Sequence, residues 1–229
     1  MSGSGESGER TSGRRRRIGL LGGTFDPVHV AHLALARAAL EHLALDELRF
    51  LPTGHSWQKR RAGARTPERI EMLRIAVSAL PRTSVDERET RRAGPTYTID
   101  TLLELRAELG DAPALVLVIG SDQLRNLPTW HRWEELLAHA HLGVGRRAGD
   151  PLDGLDPRVQ ALVDARARDS LPDAAAGSIV FVPMPPMRVS GSELRKRIAH
   201  GERPVELLPP GVLDYIERNR LYRATSGTR

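Results

Sequence analysis

The stretch RIGLLGGTFDPVHVAHL, residues 17–33, decides the fold, because it begins with the residue pattern of a strand and continues directly with that of a helix. Its first seven residues form a short apolar run that ends in the pair Gly22 and Gly23. From there the apolar residues of 30–44 recur at helical spacing. A strand, a glycine turn and a helix in this order predict the first unit of a parallel α/β sheet.

The same alternation continues along the chain. Short apolar runs bounded by Gly, Pro or Thr are separated by segments with helical spacing. This pattern predicts an α/β fold with a doubly wound, mainly parallel sheet and helices on both faces, and the most apolar runs, 17–23 and 114–120, are expected at its centre. The predicted strands are 17–23, 48–52, 83–87, 114–120, 141–145 and 178–183, and the predicted helices are 30–44, 67–80, 98–109, 131–139, 190–200 and 209–220.

The length of 229 residues, with 40% hydrophobic residues, suits one compact domain with appendages. We expect a single domain over 17–223, preceded by a disordered tail, 1–16, that has little to bury, and followed by a short tail, 224–229. The segment 146–178 is long for a connection and is expected to be an insertion or a mobile element.

The net charge of +5 is concentrated at the two ends of the chain. Residues 1–17 carry a net +3 and residues 218–229 a net +4, so the body between them is net −2. A basic footprint for nucleic acid is therefore missing from the predicted domain, and we expect no nucleic-acid partner.

The sequence contains no cysteine, which excludes disulfides, thiolate nucleophiles and cysteine-ligated metal sites. The apolar run after the arginines at 14–17 breaks at Thr24, too early for a signal peptide. No window approaches the ~18 apolar residues of a membrane-spanning helix. We expect a cytoplasmic protein with no membrane partner.

The first candidate site follows the first predicted strand. Gly22 and Gly23 let backbone approach a ligand closely, and the start of the following helix favours an anion. His29 and His32 are three residues apart, so both imidazoles share one helix face. Either histidine alone could be an ordinary packed or surface residue; the combination with the glycine turn favours a phosphate site.

The second candidate site follows the strand 114–120. Asp122 could accept hydrogen bonds from ribose hydroxyls or hold a magnesium-bound water. It could also merely cap a helix, as could Ser121. Trp130 follows Pro128 in a predicted loop, where its ring could stack on a flat heterocycle, whereas Trp133 is expected in the core.

The third candidate site is PMRVSGSELRKRI, 186–198, where the last strand, ending near Met187, gives way to a helix. Ser190 and Ser192 with the helix start and Arg195 would make a polyphosphate cradle. Ser190 is also a helix cap with Glu193 as its capping-box partner, and the two roles are compatible.

The motifs resemble the nucleotidyltransferase superfamily with HxGH-type signatures, and within it the bacterial nicotinate-nucleotide adenylyltransferases. The resemblance spans about residues 18–222, without the segment 146–178. Three positions depart from the usual motifs. Ala31 stands where glycine is usual, and Gly191 and Ser192 replace serine and threonine, so the polyphosphate cradle has one hydroxyl fewer. The motifs are GGTFDPVHVAH (22–32), LPTGHSWQK (51–59), GPTYTIDTL (94–102), GSDQL with LPTW (120–124, 127–130) and VSGSELR (189–195).

The resemblance implies a Rossmann-like fold and transfer of the AMP moiety of ATP to nicotinate mononucleotide, giving deamido-NAD and pyrophosphate in NAD biosynthesis. Mg²⁺ would accompany ATP, and no residue is assigned as a metal ligand. The resemblance implies that His29 and His32 contact the phosphates and act in catalysis, with His32 acting most strongly at the α-phosphate. It implies that the adenylyl side is lined by Gly22, Gly23, Thr24 and Phe25, and that the adenosine is held by Gly120 and Asp122. The β- and γ-phosphates would be bound by Ser190, Ser192 and Arg195.

For the acceptor, the resemblance implies that Trp130 stacks on the pyridine ring and that Thr96, Tyr97 and Thr98 receive its carboxylate. Lys59 would meet the mononucleotide phosphate, and Arg146 or its neighbour Arg147 would add a second cation. Lys59 could instead be a solvated lysine, and 96–98 a helix cap compatible with ligand binding.

Two other functions stay open. Another adenylyl- or cytidylyltransferase of the same fold, such as a phosphopantetheine adenylyltransferase, would share the first and last motifs but gives no reason for TYTIDTL or for Trp130. A nucleic-acid-binding module would act through the basic ends and would bind with a steep dependence on salt. The sequence leaves the oligomeric state undecided and is compatible with a homo-oligomer.

Overall fold

The computed structural model describes residues 13–54, 63–147, 149–187 and 189–223. Over these residues six strands form one sheet in the order β3-β2-β1-β4-β5-β6, and each of the five pairings is parallel. The strands are β1 (Arg17–Gly23), β2 (Glu47–Pro52), β3 (Thr83–Val85), β4 (Ala114–Gly120), β5 (His141–Arg147) and β6 (Ile179–Met184).

The described helices follow the strands in the alternation that the sequence predicts. Three 3-10 turns, Arg88–Arg91, Leu127–Thr129 and Trp133–Glu135, lie between them. The α-helices are α1 (Val30–His42), α2 (Thr66–Val77), α3 (Thr98–Leu109), α4 (Ser121–Arg125), α5 (Leu136–His139), α6 (Pro157–Arg166), α7 (Gly191–Ala199) and α8 (Pro210–Arg218).

Helices cover both faces of the sheet, and β4 shows why. Its alternate side chains point to opposite faces, as the geometry of a strand requires. Val116 and Val118 join a core that includes residues of α1, α2, α7 and α8. Leu115, Leu117 and Ile119 join a second core with α3, α5 and α6. The doubly wound, parallel α/β class is confirmed.

The strand order reverses between β1 and β4, the two strands expected at the centre. The chain winds outward from β1 to β3, then crosses back through α3 to β4 and winds outward to β6. In open parallel sheets, the crevice at such a reversal is where ligands bind, at the carboxyl ends of the strands.

The structure corrects the sequence-based bounds of several elements. The helix predicted at 131–139 is a 3-10 turn followed by the short α5, and Arg132 has a left-handed φ of 52° that a continuous helix does not allow. The third strand ends at Val85, and the last ends at Met184 rather than near Met187.

The segment 146–178, predicted as an insertion or mobile element, contributes α6 to the domain. Val159 and Val163 of this helix are buried in the second core. The Asp150 carboxylate accepts hydrogen bonds from Ser121 and Arg125 of α4, and these contacts lower its pKa. Within the described part of the chain, no helix is long and apolar enough to cross a membrane.

Candidate active site

A cavity of about 480 Å³ lies at the carboxyl ends of the central strands. Its walls include the ends of β1, β4 and β5 and the first residues of α1, α3 and α7. Three helix starts on one cavity present backbone N–H groups and the positive ends of helix dipoles, which suits an anion. Of the predicted site residues, the following line it: Gly22, Gly23, Thr24, Phe25, His29, His32, Thr96, Tyr97, Thr98, Gly120, Asp122, Trp130 and Ser190.

The histidine pair stands at the start of α1. His29 is the N-cap residue, and its ring stacks on that of His32 with centroids 3.7 Å apart. The His29 backbone N–H donates to Nδ1 of His32 over 3.2 Å. Because Nδ1 accepts, the ring proton of neutral His32 resides on Nε2. His32 is thereby oriented as a hydrogen-bond donor at one end of an anion-attracting helix.

Phe25 packs against the His32 member of this pair. Its side chain is only 1% exposed and meets the His32 ring edge-on at 5.0 Å and the Phe50 ring at 5.7 Å. The backbone at Phe25 has a left-handed φ of 48°, which reverses the chain between β1 and α1. Because the Phe25 ring is buried against His32, a ligand in the cavity would contact the backbone of this turn.

Gly22, the penultimate residue of β1, and Gly120, the last residue of β4, leave room beside the turn. A β-carbon at Gly22 would have no atom within 4 Å, so the cavity is open there. A β-carbon at Gly120 would overlap Oδ1 of Asp122, so glycine is needed for that carboxylate to fold back over the strand end. Gly120 itself is the N-cap of α4, and neither Ser121 nor Asp122 has the predicted capping role.

The start of α7 closes another side of the cavity. Ser190 caps this helix by accepting from the Glu193 N–H at 3.3 Å, as predicted, and its hydroxyl lies 3.2 Å from that of Ser192. Ser192 is exposed and lies outside the cavity lining, as does Arg195. A β-carbon at Gly191 would lie 2.8 Å from the Asp26 carbonyl oxygen, so glycine lets α7 sit directly on the first turn.

Asp26 links the first turn to three distant segments, a role that the sequence analysis missed. Its buried carboxylate accepts from the N–H groups of Gly63 at 2.6 Å and Ala64 at 3.1 Å, and from the Tyr222 hydroxyl at 2.7 Å. Arg195 donates to its carbonyl oxygen and lies 3.4 Å from its carboxylate. Burial and the Asp26 carboxylate together raise the pKa of Tyr222.

Arg69 of α2 is a buried cation beneath the same turn. Its guanidinium donates to the carbonyl oxygen of Thr24 at 2.6 Å and to that of Thr53 at 2.8 Å. Burial lowers its pKa, and the nearby Asp26 carboxylate opposes that effect. A charged residue at an apolar position of the α2 pattern, next to Ile70, was a signal in the sequence that this side chain has a specific role.

The opposite end of the cavity is formed by the start of α3 and by the turn after α4. Thr96 is buried, and Thr98 opens α3 with Tyr97 as the N-cap residue, which supplies no side-chain cap. The Tyr97 ring lies 4.5 Å from that of His131. Trp130 lines the cavity half-buried, outside any α-helix, while Trp133 is buried in the core as predicted.

Arg147 rather than Arg146 lines the cavity. The two residues are neighbours on β5, so their side chains leave opposite faces of the sheet. Arg146 donates to the Asp150 carbonyl oxygen and stacks over Phe181, and it does not line the cavity. Lys59 lies outside the described residues. Glu89, missed by the sequence analysis, also lines the cavity.

The residues of this site can align phosphate groups and stabilise negative charge on them. The described residues around it include no cluster of three or more histidine or carboxylate side chains that could hold a metal ion. Histidine donors, helix starts and Arg147 suit a polyphosphate, which itself chelates a divalent cation. Such a site favours the transfer of a phosphorus-containing group from one phosphate to another.

A sequence model of the cytidylyltransferase-like family matches residues 20–197 of this chain. A relative from Chromobacterium violaceum, named "Probable nicotinate-nucleotide adenylyltransferase", is 46% identical over 209 residues, covering 90% of this chain and 99% of the relative. A relative of the same name from Pseudomonas putida (strain W619) is 45% identical over 212 residues, covering 91% and 96%.

Solved structures show the same fold at low identity. The structure titled "Plasmodium falciparum nicotinic acid mononucleotide adenylyltransferase complexed with NaAD" superimposes with a TM-score of 0.69 at 18% identity, covering 90% of this chain and 97% of that one. A second structure of that protein, complexed with APC, gives a TM-score of 0.66 at 17% identity.

Proposed function

Because this chain belongs to the family of nicotinate-nucleotide adenylyltransferases, we propose that the cavity at the carboxyl ends of β1 and β4 is its adenylyl-transfer site. The enzyme transfers the AMP moiety of ATP to nicotinate mononucleotide, forming deamido-NAD and pyrophosphate in NAD biosynthesis. The observation that supports the location best is the stacked His29–His32 pair at the start of α1, in one cavity with Thr98 and Trp130.

The proposed nucleophile needs no general base. A mononucleotide 5′-phosphate is ionised at neutral pH, so one of its oxygens can attack the α-phosphorus of ATP directly. The new P–O bond forms as the bond from the α-phosphorus to the bridging oxygen breaks, and pyrophosphate leaves with that electron pair. The site must therefore hold both reactants in line and neutralise the charge that develops.

His32 is the residue proposed to act most strongly in the transition state. Its Nε2–H donates to the α-phosphate, where negative charge increases during attack, and His29 contacts the phosphates beside it. The backbone of 22–25 lines the adenylyl side, and Gly120 with Asp122 holds the adenosine. These roles use donors that the fold has already oriented, so little reorganisation is needed during the reaction.

The start of α7 is proposed to hold the β- and γ-phosphates through Ser190 and Ser192. Arg195 uses Nη1 for Asp26, and its guanidinium has further N–H donors for a phosphate. Enzymes of this class generally act with a divalent cation, and we propose that Mg²⁺ enters on the triphosphate, since the described residues form no dedicated metal cluster. Mg²⁺ would supply neutralising charge to the leaving pyrophosphate.

For the acceptor, we propose that Trp130 stacks on the pyridine ring and that Thr96, Tyr97 and Thr98 receive the pyridine carboxylate at the start of α3. Lys59 is proposed to meet the mononucleotide phosphate. Of the two arginines considered as a second cation, the lining position of Arg147 favours it over Arg146.

The reaction is tested by release of pyrophosphate from ATP and Mg²⁺ with each of three acceptors in parallel. We expect rapid release with nicotinate mononucleotide, slower release with nicotinamide mononucleotide and none above background with phosphopantetheine. Release with phosphopantetheine but not with either pyridine mononucleotide would show that the chain has a different acceptor.

Replacing Trp130 by alanine is expected to raise the KM for nicotinate mononucleotide about tenfold, because stacking of a base on an aromatic ring contributes ~1–3 kcal/mol. The KM for ATP should change less than about twofold. Trp130→Phe keeps a stacking face and should restore most of the affinity. Steady-state kinetics in both substrates make the comparison, and an effect confined to ATP would show that the ring does not contact the pyridine.

A further inference from the structure

Glu89 places a carboxyl group in the wall of the cavity at the acceptor end. It belongs to the 3-10 turn Arg88–Arg91 and lines the cavity together with Thr96, Tyr97 and Thr98. The residue is only 7% exposed. A second carboxylate beside the proposed site for a pyridine carboxylate is unfavourable unless it can lose its charge.

The contacts of Glu89 connect it to the first turns of α3. Thr101, one turn inside that helix, donates its hydroxyl to Oε1 of Glu89 at 2.8 Å. The same hydroxyl oxygen accepts from Nη1 of Arg92 at 2.7 Å, and Arg92 also pairs with Glu104. Glu89 is thus fixed at the helix start that is proposed to receive the pyridine substituent.

The surroundings of Glu89 bring the pKa of its carboxyl group close to neutral pH, so both charge states are populated there. Burial raises the pKa of Glu89 to about 7, against the lowering effects of the Thr101 hydrogen bond and of Arg92. The carboxylates of Asp86 and Glu104 add to the rise.

Other charged or titratable side chains line the cavity from other elements, among them Asp26, His29, His32 and Asp122. His131 lines it from the turn after α4, and Arg147 lines it from the end of β5. The His131 ring contacts that of Tyr97, one of the residues proposed to receive the pyridine carboxylate, so the test must separate the effect of His131 from that of Glu89.

We propose that Glu89 determines acceptor specificity, its charge state setting how strongly the site favours a pyridine carboxylate over a pyridine carboxamide. This inference rests on the proposed function and on the acceptor end assigned there. When protonated, Glu89 is neutral and tolerates a neighbouring carboxylate. When ionised, it repels the carboxylate of nicotinate through a partly buried environment that screens charge weakly, and it has little effect on the neutral carboxamide.

The sign of the pH dependence follows directly. Glu89 loses its proton as the pH rises through about 7, so the preference for nicotinate over nicotinamide falls over that range. Conversely, a bound pyridine carboxylate disfavours the ionised form, so binding of nicotinate mononucleotide takes up a proton near neutral pH.

The test is the ratio of kcat/KM for nicotinate mononucleotide to that for nicotinamide mononucleotide, measured from pH 6 to 8.5. Both acceptors carry the same phosphate and meet the same His29 and His32, so effects of pH that are common to the two acceptors cancel in the ratio. We expect the ratio to fall about tenfold in the wild-type enzyme. In Glu89→Gln, which keeps an acceptor for Thr101, the ratio should be independent of pH and above the wild-type value at pH 8.5.

His131→Gln is the matched control, because it removes the imidazole that lines the cavity next to Tyr97. The fall should persist in His131→Gln. A fall that disappears there and persists in Glu89→Gln would overturn the proposal, as would a ratio that is constant in the wild-type enzyme. Absence of transfer to either mononucleotide would instead overturn the acceptor assignment, and the inference with it.

A calorimetric measurement on the wild-type enzyme keeps the proposal testable if Glu89→Gln does not fold. Binding of each mononucleotide at pH 7.5 is followed in buffers of different ionisation enthalpy. Nicotinate mononucleotide should take up several tenths of a proton more than nicotinamide mononucleotide, since the phosphate contribution is common to both. Equal proton uptake by the two would overturn the role of Glu89.

Discussion

Replacing His32 by alanine is expected to lower kcat for adenylyl transfer by about 10²–10³-fold. The reason is that His32, in its proposed role as a preoriented donor to the α-phosphate, would act mainly on charge that appears in the transition state, while the helix starts would share in substrate binding. Steady-state and single-turnover rates with saturating ATP and nicotinate mononucleotide measure the effect.

Two variants separate the chemistry of His32 from its structural contact. The His29 N–H would lose its acceptor in His32→Ala, whereas glutamine at this third helical position can reach back to that N–H. His32→Gln should therefore keep the thermal stability of the wild-type enzyme and still show the low kcat. His42→Ala, at the exposed end of the same helix, should leave the rate unchanged. A His32→Ala enzyme that retains more than about a third of its turnover would contradict the role assigned to His32.

Replacing Asp26 by asparagine is expected to lower the free energy of unfolding by about 2–4 kcal/mol. Asp26 accepts from Gly63, Ala64 and Tyr222 at once, and a carboxylate has only acceptors to offer. An asparagine must turn its NH₂ toward at least one of those donors, which leaves buried donors facing each other. Urea denaturation of the purified proteins measures the loss.

Graded controls follow from the same contacts. Tyr222→Phe removes one of the three donors and should cost about 1 kcal/mol. The double variant should cost little more than Asp26→Asn alone, because the two residues share one interaction. Asp153→Asn, at a carboxylate whose side chain is 81% exposed, should change stability by less than about 0.5 kcal/mol. An Asp26→Asn protein no less stable than Asp153→Asn would contradict the role of Asp26 as a buried link.

Much of the fold could be predicted because its signals are local. The parallel sheet, its central strands and most helices follow from hydrophobic periodicity and from where glycine and proline interrupt it. The same applies to the position of the site, since residues that follow strands of a parallel sheet collect at one edge. The spacing of His29 and His32 also predicted that their rings lie on the same side of the helix start, and the structure stacks the two rings with His29 as the N-cap residue.

Other features depend on which segments meet, and no local spacing contains that information. Asp26 and Tyr222 are 196 positions apart, and only the packing of the chain's last residues against the first turn joins them. Which of Arg146 and Arg147 lines the cavity depends on the face of β5 that each side chain leaves, and hence on the register of the sheet.

The sequence by itself determined the fold class, the three strand-to-helix turns and the family of this protein. Only the tertiary structure decided that Glu89, one carboxylate among the charges of DERETRR, is buried in the wall of the cavity that Thr96, Tyr97 and Thr98 also line. The physical reason is that periodicity and turn chemistry act between neighbours in the chain, whereas burial, and with it the charge state of a carboxyl group, is set by all the segments that pack around it.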